Sequence, residues 1–388
     1  MGVYKMIKPF DLNMESVLEN WDAYHACREI IANALDEQIL SDTAEIKIYE
    51  SIEGDGWHIR DFGRGIQIDH FTQNENPEKY QAPNGIIGKF GVGLKDALAT
   101  FYRNGISPEI KSSHGTYTVS MNPKEGFNDI ETLHVMFDDQ VNEMQGTDFF
   151  LRGATAEQIS DAKDLFLKFV DTEILEETKY GSVISSAGGN EVNRVYINGV
   201  LASEEENFLF SYNITSLTKT MRKALNRERT NVGRTTYQKR VKSILRTSKS
   251  NAVLNELANQ IRKRSSGEQC DEILWSEVAQ IGINALAESD NMVIFVTENE
   301  SINNPDEMER MRLEGYTVIV SSDRDRNKID DENVTTFGDY VHAWNESFEF
   351  RFIEENNLTN KERQIYRQTD RILEFVGWSD EKPSIRIS

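Results

Sequence analysis

The sequence is poor in the residues that build disulfide-bonded, membrane-spanning or metal-binding proteins. Its 388 residues include 2 cysteines, Cys27 and Cys270, far apart in segments with helical periodicity. We therefore expect a reducing compartment and no thiolate metal site. No apolar run reaches the roughly eighteen residues of a transmembrane helix, and the first residues lack the apolar core of a signal peptide. These absences predict a cytoplasmic globular protein without a membrane partner.

Positive charge is also scarce overall, because 43 Lys and Arg face 65 Asp and Glu, which gives a formal net charge of −22. Such a balance excludes a protein that coats nucleic acid with its whole surface. The exception is segment 219–264, which holds fourteen Lys and Arg against two acids. Two uses of this segment stay open: solvated helix faces, or contact with the phosphates of DNA.

Glycine, in contrast, is concentrated in one stretch. Residues 84–97 read Asn-Gly-Ile-Ile-Gly-Lys-Phe-Gly-Val-Gly-Leu-Lys-Asp-Ala and lead directly into an apolar helical pattern. Glycine at this density costs backbone entropy, so a requirement such as close approach of backbone N–H groups to a phosphate is indicated. The alternative is a flexible surface loop at a helix entry.

A helix predicted over residues 15–40 carries three polar side chains at positions i, i+4 and i+7. They are Glu29, Asn33 and Asp36, and this spacing places them on one helix face. A carboxylate beside an amide suits a divalent cation and an attacking water, because Asn is a hard oxygen ligand and Glu is a general base. A solvated polar face is the alternative.

Two strands predicted at 45–50 and 56–60 are followed by Asp61-Phe62-Gly63-Arg64-Gly65-Ile66. A carboxylate at a strand end, next to Gly-X-Gly, can accept a hydrogen bond from the exocyclic amino group of a flat base such as adenine. A plain turn is the alternative. The polar residues 67–84 predict a loop that closes over a site. Thr147, which enters a later strand after Gly146, is placed to reach the carboxylate or the purine.

Taken together and in this order, these motifs resemble the GHKL superfamily of ATP-binding proteins, which includes gyrase B, heat-shock chaperones, histidine kinases, MutL and the MORC ATPases. The resemblance covers about residues 15–155. Ile87–Gly93 is similar to the chaperone version of the glycine motif, and Gly93–Lys95 to the MORC version. Glu29 argues against a histidine kinase, in which Asn or His usually stands in that region. The resemblance implies a Bergerat α/β sandwich that binds ATP and Mg²⁺.

The resemblance also implies residue roles. Glu29 would activate water, Asn33 would bind Mg²⁺, and Asp36 would order the adenine-side waters or the metal site. Asp61 would accept from the adenine amino group with support from Thr147. The remaining contacts would come from Gly63, Gly65 and Ile66 beside the base, and from Gly88, Lys89, Phe90, Gly91, Val92, Gly93, Leu94 and Lys95 around the triphosphate. A solvated helix lysine is the alternative for Lys95.

The sequence predicts three domains in an α+β chain: the ATP-binding domain at 1–155, a transducer-like α+β domain with basic helices at 156–264, and a small C-terminal α/β domain at 268–388. In the second, we expect a strand at 191–201 with its partner at 208–214. By resemblance to the transducer of gyrase and MutL, Arg229, or next Arg227, would sense the γ-phosphate and stabilise charge on it. A solvated basic turn is the alternative. In the third, strands at 291–297 and 316–320 flank a helix and form one βαβ unit.

Together, these expectations describe an ATPase in which ATP binding closes the lid and brings two copies of the chain into a homodimer. This change would act as a molecular clamp or remodelling switch. The resemblance to MORC and MutL implies that it acts on DNA, which segment 219–264 would contact. A chaperone-like ATPase that acts on protein clients and a regulatory module that holds ATP without turnover are the alternatives.

Overall fold

The computed structural model describes residues 8–14, 21–71, 86–87, 92–124, 126, 129–140, 142–186, 192–224, 232–263, 269–290, 292–321, 335–347 and 358–375. The chain divides into two compact units. The first comprises Met1–Gln260 with Gln269–Gly282, and the second comprises Ile261–Glu268 with Ile283–Ser388.

The first unit contains an antiparallel sheet of seven strands in the order β1-β6-β5-β4-β7-β3-β2. Its strands are β1 (Lys8–Asp11), β2 (Lys47–Glu50), β3 (Gly56–Arg60), β4 (Ser107–Ser112), β5 (Gly115–Pro123), β6 (Glu131–Asp138) and β7 (Thr147–Arg152). Side chains alternate between the two faces of a strand, and on β7 Phe149 and Leu151 point into the core. Strand β7 is the last of these seven strands in sequence, yet it pairs with both β3 and β4 and lies between them.

Three helices bury their apolar residues against one face of this sheet: α1 (Ala23–Ser41), α2 (Val92–Arg103) and α3 (Ala156–Asp164). Ala26, Ile30 and Ile31 of α1 are inaccessible to solvent and join one core with Leu98 of α2 and strand residues such as Ile110. The helix expected over 15–40 begins later in the described residues, because Asp22 is extended and its N–H is accepted by Nδ1 of His25.

A second sheet of five strands, also in the first unit, has the order β11-β10-β12-β9-β8. The strands are β8 (Ile174–Thr178), β9 (Gly181–Ile184), β10 (Asn193–Ile197), β11 (Val200–Glu205) and β12 (Ser211–Ile214), followed by helices α4 (Lys219–Ala224), α5 (Arg234–Thr247), α6 (Asn251–Lys263) and α7 (Ser276–Ser289). The expected pairing with 208–214 is confirmed, because β12 pairs with β10 and runs parallel to it. The strand expected at 191–201 is divided by a turn into β10 and β11, which pair with each other as an antiparallel hairpin.

The second unit contains a three-stranded parallel sheet in the order β14-β13-β15. Its elements are β13 (Val293–Thr297), α8 (Glu298–Asn303), α9 (Pro305–Leu313), β14 (Thr317–Ser321), β15 (Thr335–Thr336), α10 (Phe337–Glu346) and α11 (Asn360–Phe375). All five residues of β13 are buried, as expected for a central parallel strand.

The architecture is thus α+β with two sheets that are largely or wholly antiparallel and one small parallel sheet. Within the described part of the chain, no helix combines the length and the apolar character needed to cross a membrane.

Candidate functional site

Helix α1 brings the three polar residues of the predicted motif to its inner side. Glu29 is 4% exposed and Asp36 is 0% exposed, while Asn33 between them is half-buried. Burial of two carboxyl groups among apolar neighbours is costly unless they have partners. The polar stripe on this helix is therefore not a solvated face.

Glu29 is held by the residue before it. The Arg28 guanidinium, 2% exposed, donates from Nη2 at 2.9 Å and from Nε at 3.2 Å, both to Oε1 of Glu29. It also lies over the Trp21 ring, with Cζ 5.4 Å from the ring centroid. Oε2 of Glu29 faces the other way, toward α2, where a Cβ at Gly93 would overlap it. A residue with a Cβ at position 93 would therefore push the Glu29 carboxylate aside.

Asp36 contacts the beginning of the glycine-rich stretch. Its Oδ1 accepts the backbone N–H of Ile87 at 2.6 Å, and Ile86 beside it is buried. Helix α1 therefore fixes the backbone at Ile86–Ile87, 51 positions further along the chain.

Asp61, at the end of β3, lies against the start of β7. Its Oδ1 accepts the N–H of Gly63 at 2.9 Å and that of Thr147 at 3.2 Å, while the Oγ1 of Thr147 accepts the N–H of Ile66 at 3.0 Å. Gly146 has φ +79°, and a Cβ there would overlap the Asp61 carbonyl, so this close approach also requires glycine. Burial raises the pKa of Asp61, and the hydrogen bonds from Gly63 and Thr147 act in the opposite direction.

Next to the turn that follows Asp61 lies an ion pair between Arg64 and Glu37, which the sequence pattern did not predict. Arg64 donates from its backbone N and from Nε to Oε1 of Glu37 and from Nη2 to Oε2, each at 2.9 Å. Burial alone would raise the pKa of Glu37, but the hydrogen bonds from Arg64 and Ser41 outweigh burial and lower it to about 2. Gly63 faces this carboxylate side chain and would clash with it if it carried a Cβ.

The remaining predicted residues are distributed as follows. Gly65 has φ +84° and packs near the carbonyl oxygen of Gly146. Leu94 is buried at the start of α2, and Lys95 is half-buried. Val92 begins α2, but its side chain lies outside the described residues, as do Gly88, Lys89, Phe90, Gly91, Arg227, Arg229 and most of the expected lid at 67–84.

The basic segment is only partly free to meet a ligand. Arg234, the first residue of α5, pairs with Glu205 and with Asp271. Arg240 lies over the Tyr180 ring, at 5.0 Å from Cζ to the centroid, and Nζ of Lys242 is 3.3 Å from Glu277.

Among the described residues of the segment, six other basic side chains are exposed, namely Lys219, Arg222, Lys239, Arg246, Lys249 and Lys263. In the described ranges, no group of three or more His, Cys, Asp or Glu side chains is arranged to hold a metal ion.

Comparison with known proteins places the chain in a family. Residues 157–251 match the sequence model of the Mycoplasma pneumoniae MPN635 N-terminal domain. An uncharacterized protein of Mycoplasma pneumoniae is 38% identical over 242 residues, which cover 61% of this chain and 96% of that protein. The chain belongs to the family of that protein. A second uncharacterized protein of the same organism is 30% identical over 117 residues, or 29% of this chain and 32% of the relative.

The names of these relatives state no activity, so they leave the chemistry of the family open. The stretch that matches the family model, 157–251, runs from α3 through the second sheet to the start of α6. The candidate site described above lies mainly before that stretch.

Proposed function

We propose that this protein is a Mg²⁺-dependent ATPase of the GHKL class, with a Bergerat-type ATP-binding sandwich built from α1, α2 and the seven-stranded sheet. The observation that carries the proposal is the convergence of Glu29, Gly93 and Asp36 at the junction of α1, α2 and the glycine-rich stretch. The Asp61–Thr147 pair at the end of β3 supports it from the sheet side.

The proposed chemistry assigns one task to each group. Glu29 takes a proton from the attacking water with Oε2, while Arg28 orients the carboxylate through Oε1. The buried carboxyl of Asp61 accepts from the exocyclic amino group of the base. Backbone N–H groups at the beginning of α2 face the phosphates, where the positive end of a helix dipole favours an anion.

The donor set also fits a magnesium ion. Asn33 offers an amide oxygen on the same helix face, and Mg²⁺ in nucleotide sites is typically held by one or two protein oxygens together with substrate phosphates. When bound, the ion would neutralise charge on the phosphate oxygens.

Phosphate release with Mg·ATP tests the proposal, measured for the wild type and Glu29→Ala together with binding of labelled ATP. The exposed Glu53→Ala serves as a matched control. We expect Glu29→Ala to bind ATP and to lose about 10²–10⁴-fold in turnover, the usual contribution of a general base. If the wild type binds no ATP, the GHKL assignment is wrong. If it binds without releasing phosphate, the regulatory module takes its place.

We further propose that the switch acts on DNA and that the exposed side chains of Lys239, Arg246 and Lys249, on α5 and just after it, contact phosphates. Neutralising all three to Gln should reduce the slope of log affinity against log salt by about 3, because each phosphate that loses its cation lowers the slope by about 1. Lys242→Gln is the control, because Lys242 is already paired with Glu277. Stimulation of phosphate release by unfolded protein and not by DNA would favour the chaperone-like function.

A further inference from the structure

The turn between β10 and β11 contacts the glycine-rich stretch. Asn198 and Gly199 form a two-residue hairpin loop between Ile197 and Val200, and both have positive φ, 50° and 77°. This is the geometry of a type I′ turn, in which Asn-Gly is the preferred pair. From this turn, Nδ2 of Asn198 donates to the carbonyl oxygen of Ile86 at 3.2 Å.

The backbone of the turn is fixed from within the second sheet. The N–H of Asn198 donates to Ile214 at 3.0 Å, and that of Gly199 donates to Oδ1 of Asn213 at 2.9 Å. The carbonyl of Gly199 accepts the N–H of Leu167 at 2.9 Å. The Asn198 side chain therefore projects from a turn that joins β10 to β11 and is hydrogen-bonded to β12.

The Ile86–Ile87 dipeptide is thus held from two directions. Asp36 on α1 accepts the N–H of Ile87, and Asn198 on the second sheet donates to the carbonyl of Ile86. A displacement of this backbone would have to break or carry along a hydrogen bond to each of the two layers. Through these two hydrogen bonds, the dipeptide connects helix α1 of the proposed nucleotide site to the second sheet.

Only half of the Asn198 amide is used. Its Oδ1 is fully buried and has no hydrogen-bond partner among the described residues. A buried acceptor without a donor is costly, so native proteins seldom keep one without a reason. The Asn198 amide thus contacts the glycine-rich stretch through its donor alone.

We propose that Asn198 couples the glycine-rich stretch to the second sheet, as a positioning residue that transmits nucleotide binding from α1 and α2 to β10–β12. This inference rests on the proposed ATP binding. Because coupling is reciprocal, a ligand whose affinity for the second sheet is changed by nucleotide would change the affinity for nucleotide by the same factor.

Hydrogen–deuterium exchange of the full chain tests the coupling, with and without the non-hydrolysable analogue AMP-PNP and Mg²⁺. Asn198→Gly keeps the positive φ of the turn and removes the amide. Asn198→Asp keeps the shape and loses the donor. Asn13→Gly is the matched control, because Asn13 also has positive φ, 60°, and follows β1 of the first sheet.

In the wild type and in Asn13→Gly, we expect AMP-PNP to slow exchange both in α2 and in β10–β12. In Asn198→Gly and Asn198→Asp, we expect the slowing in α2 to remain and the slowing in β10–β12 to be lost. A purely structural role in the turn would change exchange equally with and without the analogue, so it would not produce this pattern.

Two results would overturn the inference. If both Asn198 variants keep the wild-type response in β10–β12, the amide does not carry the coupling although ATP binding stands. If the wild type shows no response and calorimetry detects no binding of AMP-PNP, the proposed function fails and the coupling falls with it.

Discussion

Glu272 is a buried carboxyl group whose titration should be visible in the stability of the protein. It is 0% exposed and accepts the N–H of Leu209 at 2.9 Å and the hydroxyl of Tyr212 at 2.9 Å. Burial raises the pKa of Glu272 to about 7, although these hydrogen bonds favour the ionised form. The side chain joins the β11–β12 connection to the 3₁₀ turn at Asp271–Leu274.

The sign and size of the effect follow from this pKa. The folded state holds the proton more tightly than the unfolded chain, so the stabilising contribution is complete below about pH 4.5. It is lost as the pH rises through about 7. A difference of about 2.5 pK units corresponds to about 3 kcal/mol of unfolding free energy. Glu272→Gln removes the titration and keeps the acceptor for Leu209 and Tyr212.

The assay is urea unfolding of the wild type and Glu272→Gln between pH 5 and pH 8, followed by tryptophan fluorescence. The stability of the variant relative to the wild type should increase by up to about 3 kcal/mol over this range. Glu256→Gln, at an exposed position on α6, should show no such trend. A constant difference between Glu272→Gln and wild type at all pH values would refute the reasoning.

Three further predictions concern the candidate site. Gly93→Ala should displace the Glu29 carboxylate. Phosphate release should then fall by about 10²-fold or more in a turnover assay, while a binding assay still detects ATP. Turnover at the wild-type rate would contradict this prediction. Asp61→Asn should weaken ATP binding by about 10-fold or more, measured by calorimetry, through loss of a charged acceptor for the base; unchanged affinity would exclude Asp61 from the base pocket. Arg28→Met should lower the unfolding free energy of the first unit by about 3–5 kcal/mol, measured by urea unfolding, because Glu29 loses its guanidinium partner. The double variant with Glu29→Gln should recover most of this unfolding free energy. An equal loss in the single and double variants would speak against this pairing.

The sequence pattern was sufficient for those features that depend on local periodicity. The spacing of Glu29, Asn33 and Asp36 predicted one helix face, and the structure has all three on α1. The βαβ unit predicted near the C-terminus is present as β13 and β14, paired in parallel. The helix face depends on residues within a few helical turns, and the parallel strand pair depends on one short crossover connection. In both cases, the spacing along the sequence is enough to predict how the residues are arranged.

Features that depend on distant pairing were missed. Glu37 was not singled out, because nothing near it in the sequence shows that it meets Arg64, 27 positions away. Arg28 was not singled out either, because its burial beside Glu29 depends on how α1 packs in the fold. Strand β8, Ile-Leu-Glu-Glu-Thr, was not expected either, because its acidic residues hide the alternation of a strand.

The order of the seven-stranded sheet has a consequence for synthesis of the chain. The hairpin of β2 and β3 joins the rest of that sheet only through β7, which arrives about 90 residues after β3. Such non-local pairing is slow, and it cannot start on a ribosome until Thr147–Arg152 has left the exit tunnel. Until then, β3 has no strand on that side, so the turn around Asp61 is among the last parts of this sheet to form.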